Sequence, residues 1–232
     1  MAADLPTDPR AAVARACHVL GDIGQGDMVW GHVSLRDEQG RGVWMKAHAF
    51  GFNEIDEDKV LLVSFDGEVL EGEGRRHIEY PIHTEIMRAR PDVRCVVHTH
   101  SVGAVAFAAT GDDLRPISHD ACYFVPPALA RFTETGDLIS TRELGEHLAA
   151  AIGDRNALLI PNHGIAVAGA SVPHAIMGAV LLDRACRTQL LAGEVRHWSP
   201  DDEALAKRAS VWSDDGLDLG WNFLTRQAEA HR

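Results

Sequence analysis

Apolar residues recur along the chain with two periods, one near 3.6 residues and one near 2, and the changes between them divide it into helices and strands. Asp8-Pro9 followed by Ala11, Ala12, Val13, Ala16, Cys17, Val19 and Leu20 predicts a capped amphipathic helix closed by Gly21. Residues 28–36 and 43–47 are short apolar-rich runs joined by the turn-prone Glu38-Gln39-Gly40-Arg41-Gly42, and the run 60–65 leads into Asp66-Gly67, a hairpin signal. This half is expected to be mostly antiparallel sheet. Residues 81–90 have helical spacing, with Pro81 in the first turn, and stop at Pro91-Asp92 ahead of the β-rich Cys95-Val96-Val97. A small-residue helix (102–109), an irregular stretch containing proline (115–127) and a helix over about 141–152 follow. Residues 157–160 then read as a buried strand, Pro161-Asn162-His163-Gly164 as a turn, 165–168 as a returning strand and 172–191 as a long apolar-faced helix. No linker or repeat interrupts the pattern, so residues 1–232 are expected to form a single domain. Residues 196–232 would be its C-terminal helical extension, packed on the body or on a neighbouring subunit.

With 46% hydrophobic and 24% charged residues over 232 positions, the chain can bury a core without disulfides or a structural metal. A metal is therefore expected to serve chemistry. Lys and Arg number 22 against 34 Asp and Glu, a formal net charge of −12, and Lys46, Lys59 and Lys207 are the lysines. Nucleic-acid and anionic-membrane partners are disfavoured, since a phosphate backbone is held by clustered basic side chains. Cys17, Cys95, Cys122 and Cys186 are scattered with no CxxC pair and read as reduced thiols of a cytoplasmic protein. Residues 1–8 lack a basic segment leading to an apolar core, and no run of about 18 apolar residues occurs, so secretion and membrane spanning are not expected.

Thirteen histidines are many, but placement matters more than number. His98 and His100 end the run Cys95-Val96-Val97-His98-Thr99-His100, and positions i and i+2 of a strand project to the same face. Two imidazoles so placed can grip one cation. His163 stands in the turn after the later buried strand, where Gly164 has the backbone freedom to present it sharply. Three imidazoles with an open position make a Lewis-acidic catalytic site, whereas structural zinc fills all four positions and usually uses cysteine. Glu79, in His77-Ile78-Glu79-Tyr80-Pro81, lies just before the helix leading to the His98 strand. Taken alone, His163 reads as a turn histidine and Glu79 as a helix-capping residue.

Taken together the segments say more. Glu79, the helix bearing His83, Ala89-Arg90-Pro91-Asp92-Val93, Val96-Val97-His98-Thr99-His100-Ser101 and Asn162-His163-Gly164 resemble the class II aldolase/adducin family. Gly31-His32-Val33-Ser34-Leu35-Arg36 and the helix after Gly169 extend the resemblance, collinearly, from about residue 9 to residue 195. It implies that His98, His100 and His163 bind a divalent metal, zinc foremost and manganese as the alternative. It places the family's acid/base glutamate on Glu79, with Glu85 a rival carboxylate off the motif. It further implies an α/β fold of α+β three-layer type, with a central, mainly antiparallel sheet flanked by helices. Such proteins assemble as homotetramers with active sites near subunit interfaces.

Sugar-phosphate aldolases of this family bind phosphate through an asparagine in Gly-Asn-Ile/Val-Ser and a serine pair before the glutamate. Here His32 replaces the asparagine and His77-Ile78 the serines. The pattern is more similar to the branch that decarboxylates hydroxylated aromatic or pyridine dicarboxylates, so a small carboxylate is the expected substrate. Arg75 and Arg76 would hold a second carboxylate, with His32 and Ser34 also on the substrate. His119, near where family aldolases bring a tyrosine to the leaving group, is the second acid/base candidate. Tyr80 and Tyr123 read as packing groups. An aldolase cleaving a non-phosphorylated hydroxy-keto acid or sugar derivative is the alternative. A non-catalytic adducin-like scaffold is the remaining one, and the intact histidine motifs argue against it.

Overall fold

Alternation along the strands gives the central sheet two buried faces, and the helices cover both. The computed structural model describes residues 2–231. In chain order the elements are α1 (Pro9–Asp22), β1 (His32–Arg36), β2 (Gly42–Lys46), β3 (Val60–Ser64), β4 (Val69–Glu71), α2 (Tyr80–Ala89), β5 (Cys95–Thr99), α3 (Val102–Thr110) and α4 (His119–Cys122). They continue as β6 (Ala130–Arg131), α5 (Arg142–Ile152), β7 (Ala157–Ile160), β8 (Gly164–Gly169), α6 (Val172–Ala192), α7 (Asp201–Val211) and α8 (Asp214–Ala230). Among the described residues the strands form one sheet in the order β4-β3-β2-β1-β5-β8-β7-β6. Its pairings are antiparallel except for the parallel edge between β6 and β7.

Val33, Trp44, Leu62, Cys95, Val97, Leu159 and Val167 face one way and pack with α1, α3, α6 and α8. Their neighbours Val43, Met45, Leu61, Val96, Leu158 and Ala166 face the other way, against Ile82 and Ile86 of α2 and Leu148 and Ile152 of α5. The result is the expected three-layer arrangement of a mainly antiparallel sheet between helices. Each fully buried aliphatic side chain contributes roughly 1.5–3 kcal/mol. α1 begins as predicted, with the Asp8 side chain accepting the Arg10 N–H at 2.8 Å and Pro9 in the first turn. α8 joins the body through Trp221, which is fully buried and donates from its indole to the Asp4 carbonyl. No described helix is long and apolar enough to cross a membrane.

Two departures from the sequence pattern concern short elements. The apolar run 28–36 is a strand only from His32, because Met28 (φ 46°) and Gly31 (φ 73°) adopt left-handed backbone and Trp30 turns back on Asp27. β6 spans two residues, too few for any period to show, and the irregular stretch 115–127 contains the one-turn helix α4, capped by Ser118.

Candidate metal centre and active site

Four polar side chains converge where β5 ends, β8 begins and α2 starts. One ligand atom from each of Glu79, His98, His100 and His163 lies within 4.8 Å of every other. His98 is the last sheet-paired histidine of β5, on the same face as Val96, and its register partner on β1 is His32. His163 closes the turn before β8, where Asn162 carries the left-handed backbone (φ 62°). Gly164 plays a different part from the one its sequence suggested. A Cβ there would sit 2.6 Å from the Thr99 carbonyl and 2.8 Å from the His100 ring, so glycine is what lets the turn approach β5. Glu79 occupies the N-cap of α2 yet makes no capping bond. Its Oε1 instead accepts the Ile139 N–H at 2.8 Å and lies 3.4 Å from His163 Nε2, while Oε2 lies 3.8 Å from His98 Nε2.

Proton positions follow from the partners. His98 Nδ1 lies 2.8 Å from the Ile165 carbonyl, which only accepts, so this nitrogen donates and Nε2 keeps its lone pair. His100 Nδ1 donates to Asp27 Oδ2 at 2.8 Å, which in the neutral ring leaves its Nε2 bare as well. These two lone pairs face each other at 3.0 Å. Both nitrogens of His163 are buried without a hydrogen-bond partner. Convergent lone pairs next to a carboxylate repel unless a cation stands among them, and the donor set of imidazoles and one carboxylate suits a divalent transition metal. Burial, with His163 and His100 beside it, pushes His98 well below the usual histidine range, which keeps it in the neutral, ligating form. Burial alone would raise the Glu79 carboxyl, but the facing His163 and His32 outweigh it and hold the group well below the usual carboxylate range.

Residues 11–190 match the class II aldolase and adducin N-terminal domain. The chain belongs to the class II aldolase and adducin family. A 3,4-dihydroxyphthalate decarboxylase of Arthrobacter keyseri is 31% identical over 242 residues, covering 96% of this chain and 91% of that protein. The decarboxylase NovR of Streptomyces niveus is 34% identical over 199 residues, covering 84% of this chain and 73% of the relative. An L-fuculose 1-phosphate aldolase structure from Glaciozyma antarctica superposes with a TM-score of 0.84 over 96% of this chain and 88% of its own, at 24% identity, a likeness of fold.

The other candidate residues of this aldolase-family chain fall in three places. His32 flanks the cluster, its ring 4.8 Å from that of His98 and its Nε2 3.9 Å from Glu79 Oε2. Behind it, His32 Nδ1 bonds His83 Nε2 at 2.6 Å and His83 Nδ1 bonds Ser34 Oγ at 2.7 Å, so the Ser34 hydroxyl is engaged inside the protein. Arg75 is exposed on a cavity of about 490 Å³ shared with His48, Val69, Gly74, Arg76 and Ile78. Arg76 is committed locally: its guanidinium lies 4.0 Å over the Tyr80 ring and donates to the Gly67 and His77 carbonyls. His119 is exposed at the start of α4, on the side of the sheet covered by α6, and its carbonyl accepts the Trp212 indole N–H. No described contact joins His119 to the four converging side chains. Glu85, the rival carboxylate, is buried in an ion pair with Arg88 at 3.1 Å.

The sequence pattern missed Asp27, hidden in a turn, and His77. His77 is buried between His32 and His48, with ring centroids 4.5 and 5.4 Å away and its Nε2 unpartnered. The signal available for it was its place two residues before Glu79.

Proposed function

We propose that this protein is a divalent-metal-dependent carbon–carbon lyase that decarboxylates a hydroxylated aromatic or heteroaromatic carboxylate, foremost a dicarboxylate. The observation that carries this is the row of rings beside the cluster. His98, His32, His77 and His48 follow one another at centroid spacings of 4.8, 4.5 and 5.4 Å. Burial keeps His32, His77 and His98 neutral, and this wall of imidazoles offers flat surfaces for an aromatic ring and single hydrogen bonds to its substituents. Similarity to two decarboxylases, one of them across nearly the whole length of both chains, supports the same reaction.

His98, His100 and His163 would hold the metal, zinc foremost or manganese, with Glu79 at its side. Once bound, the cation withdraws electron density from neighbouring substrate oxygens and stabilises negative charge as the carbon–carbon bond breaks. Glu79, kept as a carboxylate, takes the proton of the ring hydroxyl and delivers it to the ring carbon that CO₂ has left. The hydroxyl then recovers its proton from water. The Ile139 N–H fixes the carboxylate for both transfers. Arg75, at the rim of the cavity, would pair with a second carboxylate. His119 becomes the second proton donor only where a neighbouring copy supplies it, which fits a homotetramer as the working unit. A cytoplasmic setting, suggested by four free cysteines, is part of the same proposal.

An aldolase acting on an unphosphorylated hydroxy-keto acid would use the same ligands and the same glutamate. A product assay on metal-reconstituted protein separates the two. Ortho-hydroxy aromatic and pyridine dicarboxylates are offered beside 4-hydroxy-2-keto acids, and products are followed by mass spectrometry. Metal-dependent CO₂ release is the expected result. An aldehyde or pyruvate without CO₂ would reverse the assignment.

A further inference from the structure

The segment between α1 and β1 is built around one carboxylate that the family motifs do not include. Asp27 accepts the His100 Nδ1–H at 2.8 Å, and its side chain remains about one-third exposed (35%). Bonds from Gln25, Trp30 and Lys46 hold it there. Gln25, 5% exposed, donates to the Ala179 carbonyl at 3.0 Å and accepts the Thr99 hydroxyl at 2.8 Å. Thr99 ends β5 between the ligand histidines His98 and His100, so the segment is fastened there once through Gln25 and again through Asp27. Trp30 N–H closes a turn on the Asp27 carbonyl at 2.9 Å. Lys46, fully buried, donates to the Val29 carbonyl at 3.0 Å and to the Phe50 carbonyl at 2.6 Å. The left-handed backbone at Met28 and Gly31 brackets these bonds and turns Asp27 inward while Met28 and Trp30 stay exposed.

We propose that Asp27 is a positioning residue that sets the cation affinity of the His98–His100–His163 centre by fixing the ring and tautomer of His100, an assignment that rests on the metal-dependent reading above. Two effects combine. A carboxylate on Nδ1 forces the lone pair onto Nε2, the atom aimed at His98, and makes that nitrogen a stronger donor. The charge also balances: a divalent cation with three neutral imidazoles and Glu79 keeps one unit of positive charge, and Asp27 supplies the matching negative one. Gln25 and Lys46 keep the carboxylate from swinging out to solvent.

The test is direct metal binding to purified full-length protein, read by chelator competition for Zn²⁺ and Mn²⁺ and by the visible spectrum of the Co²⁺ form. Asp27→Asn keeps the shape and an accepting oxygen but removes the charge, so weakening by about 10–100-fold is expected, with Asp27→Glu recovering part of it. A variant that binds within twofold of wild type would overturn the proposal. Should Asp27→Asn fail to fold, the ¹⁵N spectrum of wild-type protein decides instead. A proton on His100 Nδ1 with a bare Nε2 is expected, and the opposite tautomer overturns the assignment. Wild-type protein that binds neither cation would sink the metal-dependent reading itself, a result distinct from equal binding by wild type and variant.

Discussion

Two groups of histidines lie side by side, and their difference defines the site. His32 and His83 form a chain closed at Ser34, with only His32 Nε2 left toward Glu79: His32 Nδ1 bonds His83 at 2.6 Å and His83 bonds Ser34 at 2.7 Å. His98, His100 and His163 differ from them in that their ligating nitrogens converge. His98 and His100 turn their Nε2 atoms toward each other at 3.0 Å, and His163 makes no hydrogen bond, its Nε2 lying 3.4 Å from Glu79 Oε1. Burial pushes His83 down to about 3 and His98 well below the ordinary histidine value, so low basicity does not separate these two. What separates them is whether the hydrogen-bonding capacity is spent within the protein. Buried polar groups are normally satisfied, and those that are not mark a place held for something else.

The largest effect should come from emptying one convergent position. His98→Ala is expected to abolish stoichiometric metal binding and turnover while the circular dichroism spectrum stays that of wild type. The affinity loss should exceed the roughly 10–100-fold typical of losing a supporting hydrogen bond. Full metal occupancy in the variant would remove His98 from the centre. Glu79→Gln sharpens the contrast within the cluster. The amide keeps an oxygen for the Ile139 N–H, so metal content should hold while turnover falls by about 10²–10⁴-fold. Wild-type turnover would move the proton chemistry to another residue.

The converging residues were legible in the sequence because each sits where local geometry is short-ranged. His98 and His100 are two apart on a strand, and His163 and Glu79 stand at the ends of predictable elements. The closed chain was harder to read. His32, Ser34 and His83 meet because β1 pairs with β5 and α2 crosses the same face, a tertiary fact that no period in the sequence carries. Ser34, expected on the substrate, bonds His83 behind His32. Asp27 was hidden for the same reason, in a turn whose bonds all run to distant segments. Most strands were read in place, except β4, foreshadowed only by the hairpin signal Asp66-Gly67, and β6, whose two residues owe their pairing to β7 rather than to their own pattern.

The closed chain should reveal itself in acid. His83 has an ordinary value of 6.5 in the unfolded chain and about 3 in the folded one, chiefly through burial. Between these values the unfolded state binds more protons, so stability rises with pH and falls as the solution is acidified from 6.5 toward 3. One such group contributes up to about 1.4 kcal/mol per pH unit across the window. His83→Asn should lower stability at neutral pH and flatten the acid limb, measured by urea unfolding of metal-free protein at several pH values. An acid limb as steep as that of wild type would show that His83 takes up its proton in the folded state.

The smallest expected effect separates two adjacent arginines at the rim. Arg76 spends its guanidinium on the Tyr80 ring and on two carbonyls, so Arg76→Ala should act on stability, by about 1 kcal/mol, with little change in KM. Arg75 makes no described side-chain bond and lines the cavity with His48. For Arg75→Ala the melting temperature should hold while KM for a dicarboxylate rises about tenfold, the worth of roughly 1.4 kcal/mol of charge-assisted binding. The matching monocarboxylate should show no such rise, because the lost contact is to the second carboxyl group alone. Equal changes for both substrates would place Arg75 outside the substrate's reach. An increase in KM with Arg76→Ala at unchanged stability would mean that the guanidinium leaves Tyr80 when substrate arrives, and the division of labour between the two arginines would have to be exchanged.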